Sequence, residues 1–379
     1  MRFIHLSDLH LGKRVNGFSM IEDQQYILTR IINIIDEEKP DAVLIAGDVY
    51  DKSVPSEDAM QLWDNFLNRL SRRQLSVYGI SGNHDSAVRF ADHSELIAGS
   101  GIHLAPAYEG SALHFEEADA FGRIHIYLLP FIKPAAVRGF FPERELKDYT
   151  DAVDAAIRKM QINTNERNIL VAHQFVTGAD RCESEEITVG GLDDVSVSVF
   201  EPFDYVALGH IHGPQYVGRE SVRYCGTPLK YSFSEQDHHK SVTLVDIGEK
   251  GAAEGIIIKT IPLEPMHDMR QIRGSYEELT ARIHYQGTAV DDYLHAVLTD
   301  EDDIPGAMGK LRVIYPNLMK LSYDNKRTRE NREVDEAEDA ENKSPLELFE
   351  TFYELQNNQP MSGEQKAFTE DLIRSVWEV

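Results

Sequence analysis

Five short polar motifs punctuate the chain in a fixed order, and each follows closely on an apolar, strand-like run. They are Asp8-Leu9-His10, Gly47-Asp48-Val49-Tyr50-Asp51, Gly82-Asn83-His84-Asp85, the single His173, and Gly209-His210-Ile211-His212. The runs before them are Arg2–Ser7, Ala42–Ala46, Val77–Ile80, Ile169–Ala172 and Tyr205–Leu208. Amphipathic stretches fill the gaps. A helix is predicted over Ile21–Glu38, with Ile27, Ile31, Ile34 and Ile35 as its apolar stripe, Ser19 and Glu22 as a capping box, and Pro40 as its stop. A second is predicted over Ser56–Ser71, and Ile124–Leu129 reads as a strand without a motif. Strands alternating with helices give an α/β fold class. Open α/β sheets gather function at the carboxyl ends of their strands, so loops far apart in sequence are expected to converge on one cleft.

The residue types in those loops suit a pair of divalent cations. Hydrolysis of a phosphodiester requires a nucleophile at neutral pH and relief of charge on the phosphoryl oxygens. Two ions about 3.5–4 Å apart supply both. One ligand must touch both ions; a carboxylate can, and Asp48 is the expected bridge, with Gly47 allowing close backbone approach. Mixed oxygen and imidazole donors favour a borderline first-row ion such as Mn2+ over the all-oxygen shells of Mg2+ or Ca2+. Asn83 fits an oxygen-rich position. His84 directly follows it and is expected to face the phosphate instead, either stabilising the transition state or protonating the leaving oxygen. Asp85 is expected to orient and charge His84, and Asp51 to act in a similar supporting role. The other histidines match no motif.

From about Ile256 the pattern changes. The expected organisation is a phosphoesterase domain over 1–255, a small α/β capping domain over 256–325 and a charged linker over 326–343. A helical hairpin over 344–379 is expected to complete the chain. The hairpin has Ser344-Pro345-Leu346-Glu347 as one capping signature and Ser362 with Gln365 as another. Its apolar face, from Leu346 to Trp377, either packs on its own domain or docks a partner; the acidic linker that sets it at a distance puts docking on a par with packing. Cys182 and Cys225 show no C-x-x-C spacing and read as free thiols. No run approaches the ~18 apolar residues of a membrane span, and the first strand begins at once, so a cytoplasmic chain without a signal peptide is expected. The formal charge of −26 over 379 residues is the wrong sign for a protein that steers toward nucleic acid by itself. A nucleic-acid substrate then requires local contact, metal and a partner protein.

D-x-H, G-D-x-x-D, G-N-H-D, a lone His and G-H-x-H together resemble the calcineurin-type metallophosphoesterases. The segments from Met1 to Gly12, Ala46 to Asp51, Ser81 to Ser86, Ala207 to Gly213 and Tyr224 to Ser234 are similar to the branch that processes DNA double-strand breaks. The resemblance covers nearly the whole chain. It implies a two-sheet sandwich flanked by helices, with a small capping domain and a terminal helical hairpin, and two Mn2+ ions. By its motifs, Asp8, His10, Asp48 and His212 would hold one ion, and Asp48, Asn83, His173 and His210 the other, with His84 as the catalytic histidine. It implies exonuclease action on DNA ends and endonuclease action on hairpins or single strands. It implies, too, an SMC-like ATPase partner docked on the hairpin and a homodimer within a heterotetramer. Archaeal and eukaryotic members carry a second histidine where this chain has Asp51, so that residue's role does not transfer. A phosphodiesterase or phosphatase acting on a small nucleotide-type substrate is the alternative, although it has no evident use for a detached apolar hairpin. A decayed, non-catalytic scaffold would show degenerate ligands, and none is visible.

Overall fold

The computed structural model describes residues 1–91, 94–182, 184–185, 194–326, 346, 349–350, 353 and 361–377. From the N-terminus its elements are β1 (Arg2–Leu6), a small hairpin of β2 (Arg14–Val15) and β3 (Phe18–Ser19), α1 (Ile21–Glu38), β4 (Ala42–Ala46), α2 (Glu57–Ser71), β5 (Ser76–Ile80), the short α3 (Ala87–Phe90) and α4 (Ser94–Ala98), and β6 (Ile102–Ala105). Then come β7 (Leu113–Asp119), β8 (Gly122–Leu129), α5 (Pro134–Val137), α6 (Tyr149–Lys159), β9 (Arg167–His173), β10 (Tyr205–Gly209), β11 (Gln215–Val217), β12 (Arg219–Tyr224), β13 (Ser241–Ile247) and β14 (Ile256–Pro262).

These strands form two six-stranded sheets, ordered β14-β13-β1-β4-β5-β6 and β11-β12-β10-β9-β8-β7. In the first, β1, β4, β5 and β6 run parallel, and in the second β8, β9, β10 and β12 do. Parallel strands are covered on both faces, which is why the runs read as unbroken apolar stretches. Alternation within each strand still divides the labour. Ile169 and Val171 of β9 point into the space between the sheets with Phe3, Leu44, Ile80 and Tyr205, while Leu170 and Ala172 face outward onto Val153, Ala156 and Ile157 of α6. The chain is thus a two-sheet α/β sandwich flanked by helices.

The helices follow their apolar periodicity. On α1, Ile27, Leu28, Ile31, Ile32 and Ile35 are buried, each contributing about 1.5–3 kcal/mol when fully covered. Lys39 closes it in a left-handed conformation, φ 48°, its N–H returning to the Ile35 carbonyl, with Pro40 next. The expected Ser19–Glu22 capping box does not form. Met20 is the cap residue and makes no side-chain cap bond, because Ser19 is paired with Arg14 across the β2–β3 hairpin. Ser56 does cap α2, accepting from the Ala59 N–H.

The strand pairing carries the first unit past residue 255. All seven residues of β14 pair antiparallel with β13 at the edge of the first sheet, and the compact unit comprises Met1–Gln271 with Asp291–Leu294. The second unit, Ile272–Val290 with His295–Val379, contains α7 (Tyr276–Thr280), α8 (Arg282–Tyr285), α9 (Ala307–Leu311) and α10 (Gly363–Trp377). A three-stranded sheet joins β15 (Met269–Gly274), β16 (Tyr293–Leu298) and β17 (Leu318–Tyr323) in that order. Ser275 and Glu278 form a full capping box on α7, and Ser362 and Gln365 exchange the equivalent bonds at the start of α10. Beyond Lys326, the expected linker over 326–343 and most of the first hairpin helix lie outside the described residues. Among the described residues, no helix is long and apolar enough to cross a membrane.

Candidate metal centre

Four of the five motifs leave the ends of β1, β4, β5 and β10, and His173 ends β9. The loops after β1 and β4 run side by side beyond the sheet: Asp8 N donates to Gly47 O at 3.0 Å, His10 N to Asp48 O at 3.0 Å and Leu11 N to Val49 O at 2.8 Å. The β5 loop closes over them, with His84 N on Asp48 Oδ1 at 2.9 Å. The β10 loop docks from the other sheet, His210 N donating to both Asp8 oxygens at 3.0 and 3.1 Å. Two glycines make these approaches possible. A methyl group on Gly82 would overlap the Asp48 carboxylate, and one on Gly209 the Ala46 carbonyl. Asp8, His10, Asp48 and His210 all hold positive φ, of 51°, 45°, 49° and 104°, a concentration of strained backbone typical of a site fixed by its surroundings.

The side chains converge. One oxygen of Asp48, Oδ2, lies 3.3 Å from His173 Nε2, 3.8 Å from His10 Nε2 and 3.9 Å from His84 Nε2. Asp8, His10 and His212 bring ligand atoms within 4.8 Å of one another, as do Asp8, Asp48 and His173, and His10, Asp48 and His84. Asn83 Oδ1 is 3.0 Å from both His173 Nε2 and His210 Nδ1. His10 Nε2 and His212 Nε2 face each other at 3.2 Å.

Burial sets the electrostatics. It pushes the Asp8 carboxyl up to about 6 and the His210 imidazole down to about 3, and holds His10 well below the usual histidine range. Burial alone would also raise Asp48, but the imidazole of His173, with His10 and His84, keeps it well below the carboxylate range. The same attraction overcomes burial at His173, raised to about 9 by Asp48 and Asp8. At His212 it is Cys182, Glu235 and Asp8 that do so, raising it to about 10. Without a cation, protonated imidazoles therefore neutralise the buried carboxylates.

Asp85 sits apart from its expected duty. Its carboxylate accepts from the backbone N–H groups of Val49 at 3.1 Å, Tyr50 at 2.8 Å and Gly82 at 2.9 Å, lacing the β4 loop to the β5 loop. The partner of His84 is the backbone carbonyl of Asp51, 3.0 Å from Nδ1. A carbonyl can only accept, so Nδ1 carries the proton and Nε2 faces the cluster. The Asp51 carboxylate pairs instead with Lys13 at 2.8 Å.

Sequence reasoning missed a buried layer behind His212. Ser184 Oγ lies 2.8 Å from His212 Nδ1 and donates to Glu235 Oε1 at 2.6 Å. Lys240 Nζ donates to Glu235 Oε2 at 2.5 Å, Thr227 Oγ1 at 2.6 Å and the His212 carbonyl at 3.0 Å. Glu185 accepts the His212 N–H at 2.7 Å. Thr227 falls in the Tyr224–Ser234 segment that carries the family resemblance, but Ser184, Glu185, Glu235 and Lys240 stand in no motif.

A calcineurin-like phosphoesterase family profile matches residues 1–214, and a type 5 capsule protein repressor C-terminal domain profile matches residues 265–357. The SbcD subunit of the nuclease SbcCD from Staphylococcus epidermidis is 30% identical over 384 residues, 99% of either chain. The chain belongs to the SbcD family of calcineurin-like phosphoesterases. Among solved structures, a dimetal phosphatase from Danio rerio is 13% identical to this SbcD-family chain, covering 69% of it and 98% of its own length with a TM-score of 0.43. A 5'-nucleotidase precursor from Thermus thermophilus is 12% identical, covering 69% of this chain and 54% of its own, with a TM-score of 0.38.

The calcineurin-like phosphoesterases imply divalent metal, and the SbcD-family cluster fits it. His173 Nδ1 lies 2.7 Å from the Ala46 carbonyl and must donate to it, so a neutral His173 turns the Nε2 lone pair toward two oxygen acceptors, those of Asn83 and Asp48. His10 Nδ1 is buried with no hydrogen-bond partner. Acceptors converging on acceptors need a proton or a cation between them, and a buried donor set of carboxylate, amide and imidazole suits a first-row divalent ion.

Proposed function

We propose that the chain is a Mn2+-dependent DNA nuclease, acting as an exonuclease on duplex ends and an endonuclease on hairpins or single strands. Asp8, His10, Asp48 and His212 would hold one ion, and Asp48, Asn83, His173 and His210 the other. When bound, the ions supply a nucleophile at neutral pH and screen the phosphoryl oxygens. The observation that carries the reading is the position of Asp48 Oδ2, within 3.3–3.9 Å of imidazole nitrogens from three separate motifs.

His84 is the catalytic histidine of this proposal. Its Nδ1–H is committed to the Asp51 carbonyl, its side chain remains one-fifth exposed beside fully buried neighbours, and its Nε2 is the atom free to hold a proton for the leaving oxygen. Asp85 acts one step back, by fixing the loops that carry Asp48 and Asn83. The SbcCD name of the Staphylococcus epidermidis relative supports a complex with the SMC-like ATPase SbcC in DNA repair, recombination and replication. In that complex this chain is a homodimer within a heterotetramer in the cytoplasm, with the 344–379 hairpin as its dock and the part of 256–325 that follows β14 as its capping region. The partner then holds the DNA that a chain of −26 charge would repel.

The test is cleavage of an end-labelled linear duplex by wild type and His84→Gln, with Mn2+ and with the ATPase partner and ATP. Cleavage by wild type alone is expected. Failure of both, with retained hydrolysis of a small phosphodiester, would move the assignment to a small nucleotide-type substrate.

A further inference from the structure

β8 ends beside the metal centre without a motif of its own, and the residue it delivers there is Phe131. The ring lies nearly parallel to the His210 imidazole, with centroids 6.3 Å apart and planes 17° apart. It meets His173 edge-on at 6.1 Å and 85°. Phe131 is half-buried: part of the ring covers the two imidazoles and the rest is open. Its backbone is pinned from two sides. Phe131 N donates to Ser81 O at 3.0 Å, just before the Gly82-Asn83 turn, and Gln174 Nε2 donates to Ile132 O at 3.2 Å. Pro130 and Pro134 bracket the segment and remove backbone freedom. Next to the ring, the exposed Lys133 holds Nζ 5.8 Å from its centroid.

Supporting two imidazoles requires only bulk, which a leucine would provide. A flat, rigidly held ring beside a phosphate-binding centre adds two things once the exposed, flexible Lys133 side chain, whose ammonium lies over the ring, swings aside for an incoming base. One is a face on which a base can stack; the other is a point charge for the adjoining phosphate. We propose that Phe131, with Lys133 beside it, seats the base next to the scissile phosphodiester, so that the centre selects nucleotides whose base is free to leave its stack. The inference rests on the DNA-cleaving reading above and deepens it. A base on Phe131 gives up its duplex neighbour, and that exchange is easiest at frayed ends, in hairpin loops and in single strands.

The experiment compares wild type, Phe131→Leu and Phe131→Tyr, as Mn2+-loaded full-length chains with the ATPase partner and ATP present. The substrates are a duplex with two unpaired terminal nucleotides and the same duplex with an abasic residue at the scissile position. Mn2+ affinity is measured on each variant by calorimetry. Phe131→Leu is expected to lower kcat/KM on the intact end by about tenfold or more, with most of that penalty absent on the abasic end. Phe131→Tyr is expected to restore the difference, and Mn2+ affinity to stay level across the set. An equal penalty on both substrates, or a fall in Mn2+ affinity that accounts for the loss, would overturn the proposal and leave Phe131 as packing for His173 and His210. Wild type cleaving neither duplex while hydrolysing a small aryl phosphodiester would overturn the DNA reading itself, and the base platform with it.

Discussion

Removing Lys240 tests whether the layer behind His212 fixes the metal centre. Glu235 has no exposed side-chain surface and Lys240 4%, so the two charges face each other out of water. Glu235 stays well below the carboxylate range because His212 and Lys240 outweigh the upward push of burial. Lys240 is lowered, since burial of its ammonium outweighs the attraction of Glu235. The pair is therefore held by mutual need rather than by a net gain. Lys240→Met strips Glu235, Thr227 and the His212 carbonyl of one donor each and leaves the buried Glu235 carboxylate with Ser184 and His212 to balance it, at a cost of about 3–5 kcal/mol. Adding Glu235→Gln removes the stranded charge while keeping an acceptor for Ser184, and should return the larger part of that loss. The assay is urea unfolding of both single variants and the double variant in chelator-treated buffer, with Mn2+ affinity measured alongside. Disturbing what orients a metal-binding histidine typically costs about 10–100-fold in affinity, and that is expected of Lys240→Met. A loss under about 1 kcal/mol for Lys240→Met, or a double variant no more stable than the single, would refute the argument from burial.

His84→Gln is expected to leave Mn2+ binding within about threefold of wild type and to lower turnover by about 100-fold or more, whereas Asp48→Ala should lose both; calorimetry beside a cleavage assay separates them, and equal metal loss in the two variants would contradict the division of roles. Asp85→Ala deprives the Val49, Tyr50 and Gly82 N–H groups of their acceptor and should cost about 2–4 kcal/mol, read as a lower urea midpoint with weakened Mn2+ binding. Metal binding should also be proton-linked: His173 and His212, raised to about 9 and about 10, are protonated in the metal-free chain at pH 7 and must lose those protons to coordinate. Titrating Mn2+ into weakly buffered protein at pH 7 is then expected to release about two protons per chain. Affinity should rise with pH until both imidazoles are neutral, and pH-independent affinity would exclude the linkage.

The residues that meet at the strand ends were legible because two regularities coincide: an apolar run that must be a covered strand, and a polar cluster at its carboxyl end. Neither depends on distant partners. What could not be read does. Glu185, Glu235 and Lys240 reach His212 across the folded chain, and in sequence they stand outside every motif. Asp85 looks like a partner for His84 because the two are adjacent. In the fold, three convergent backbone N–H groups claim the carboxylate, and a carbonyl from another loop claims the imidazole. Ser19 and Glu22 satisfy the spacing of a capping box, yet cross-strand pairing with Arg14 takes Ser19 away from α1. β14 alternates half-buried and exposed residues, the pattern of an edge strand, and local pattern alone does not say which sheet it edges.

The acidity of the chain and a polyanionic substrate meet at the centre itself. The basic residues nearest the motifs are already engaged within the chain: Lys13 with the Asp51 carboxylate at 2.8 Å, Arg89 with the Ser53 carbonyl at 3.0 Å, and Arg14 with the Gly17 carbonyl. Only the Lys13 charge is neutralised by its partner; the two guanidiniums keep theirs but are tethered to backbone carbonyls. Two divalent ions bring about four positive charges to a place otherwise occupied by the protons of His173 and His212. Loading of His173 and His212 with metal in place of those protons would supply both attraction for phosphate and the capacity to cleave it. A formal charge of −26 over the chain also lowers non-specific adhesion to nucleic acid. A polyanion is then held chiefly where the ions are, with Lys133 at their side, or where a second protein presents it.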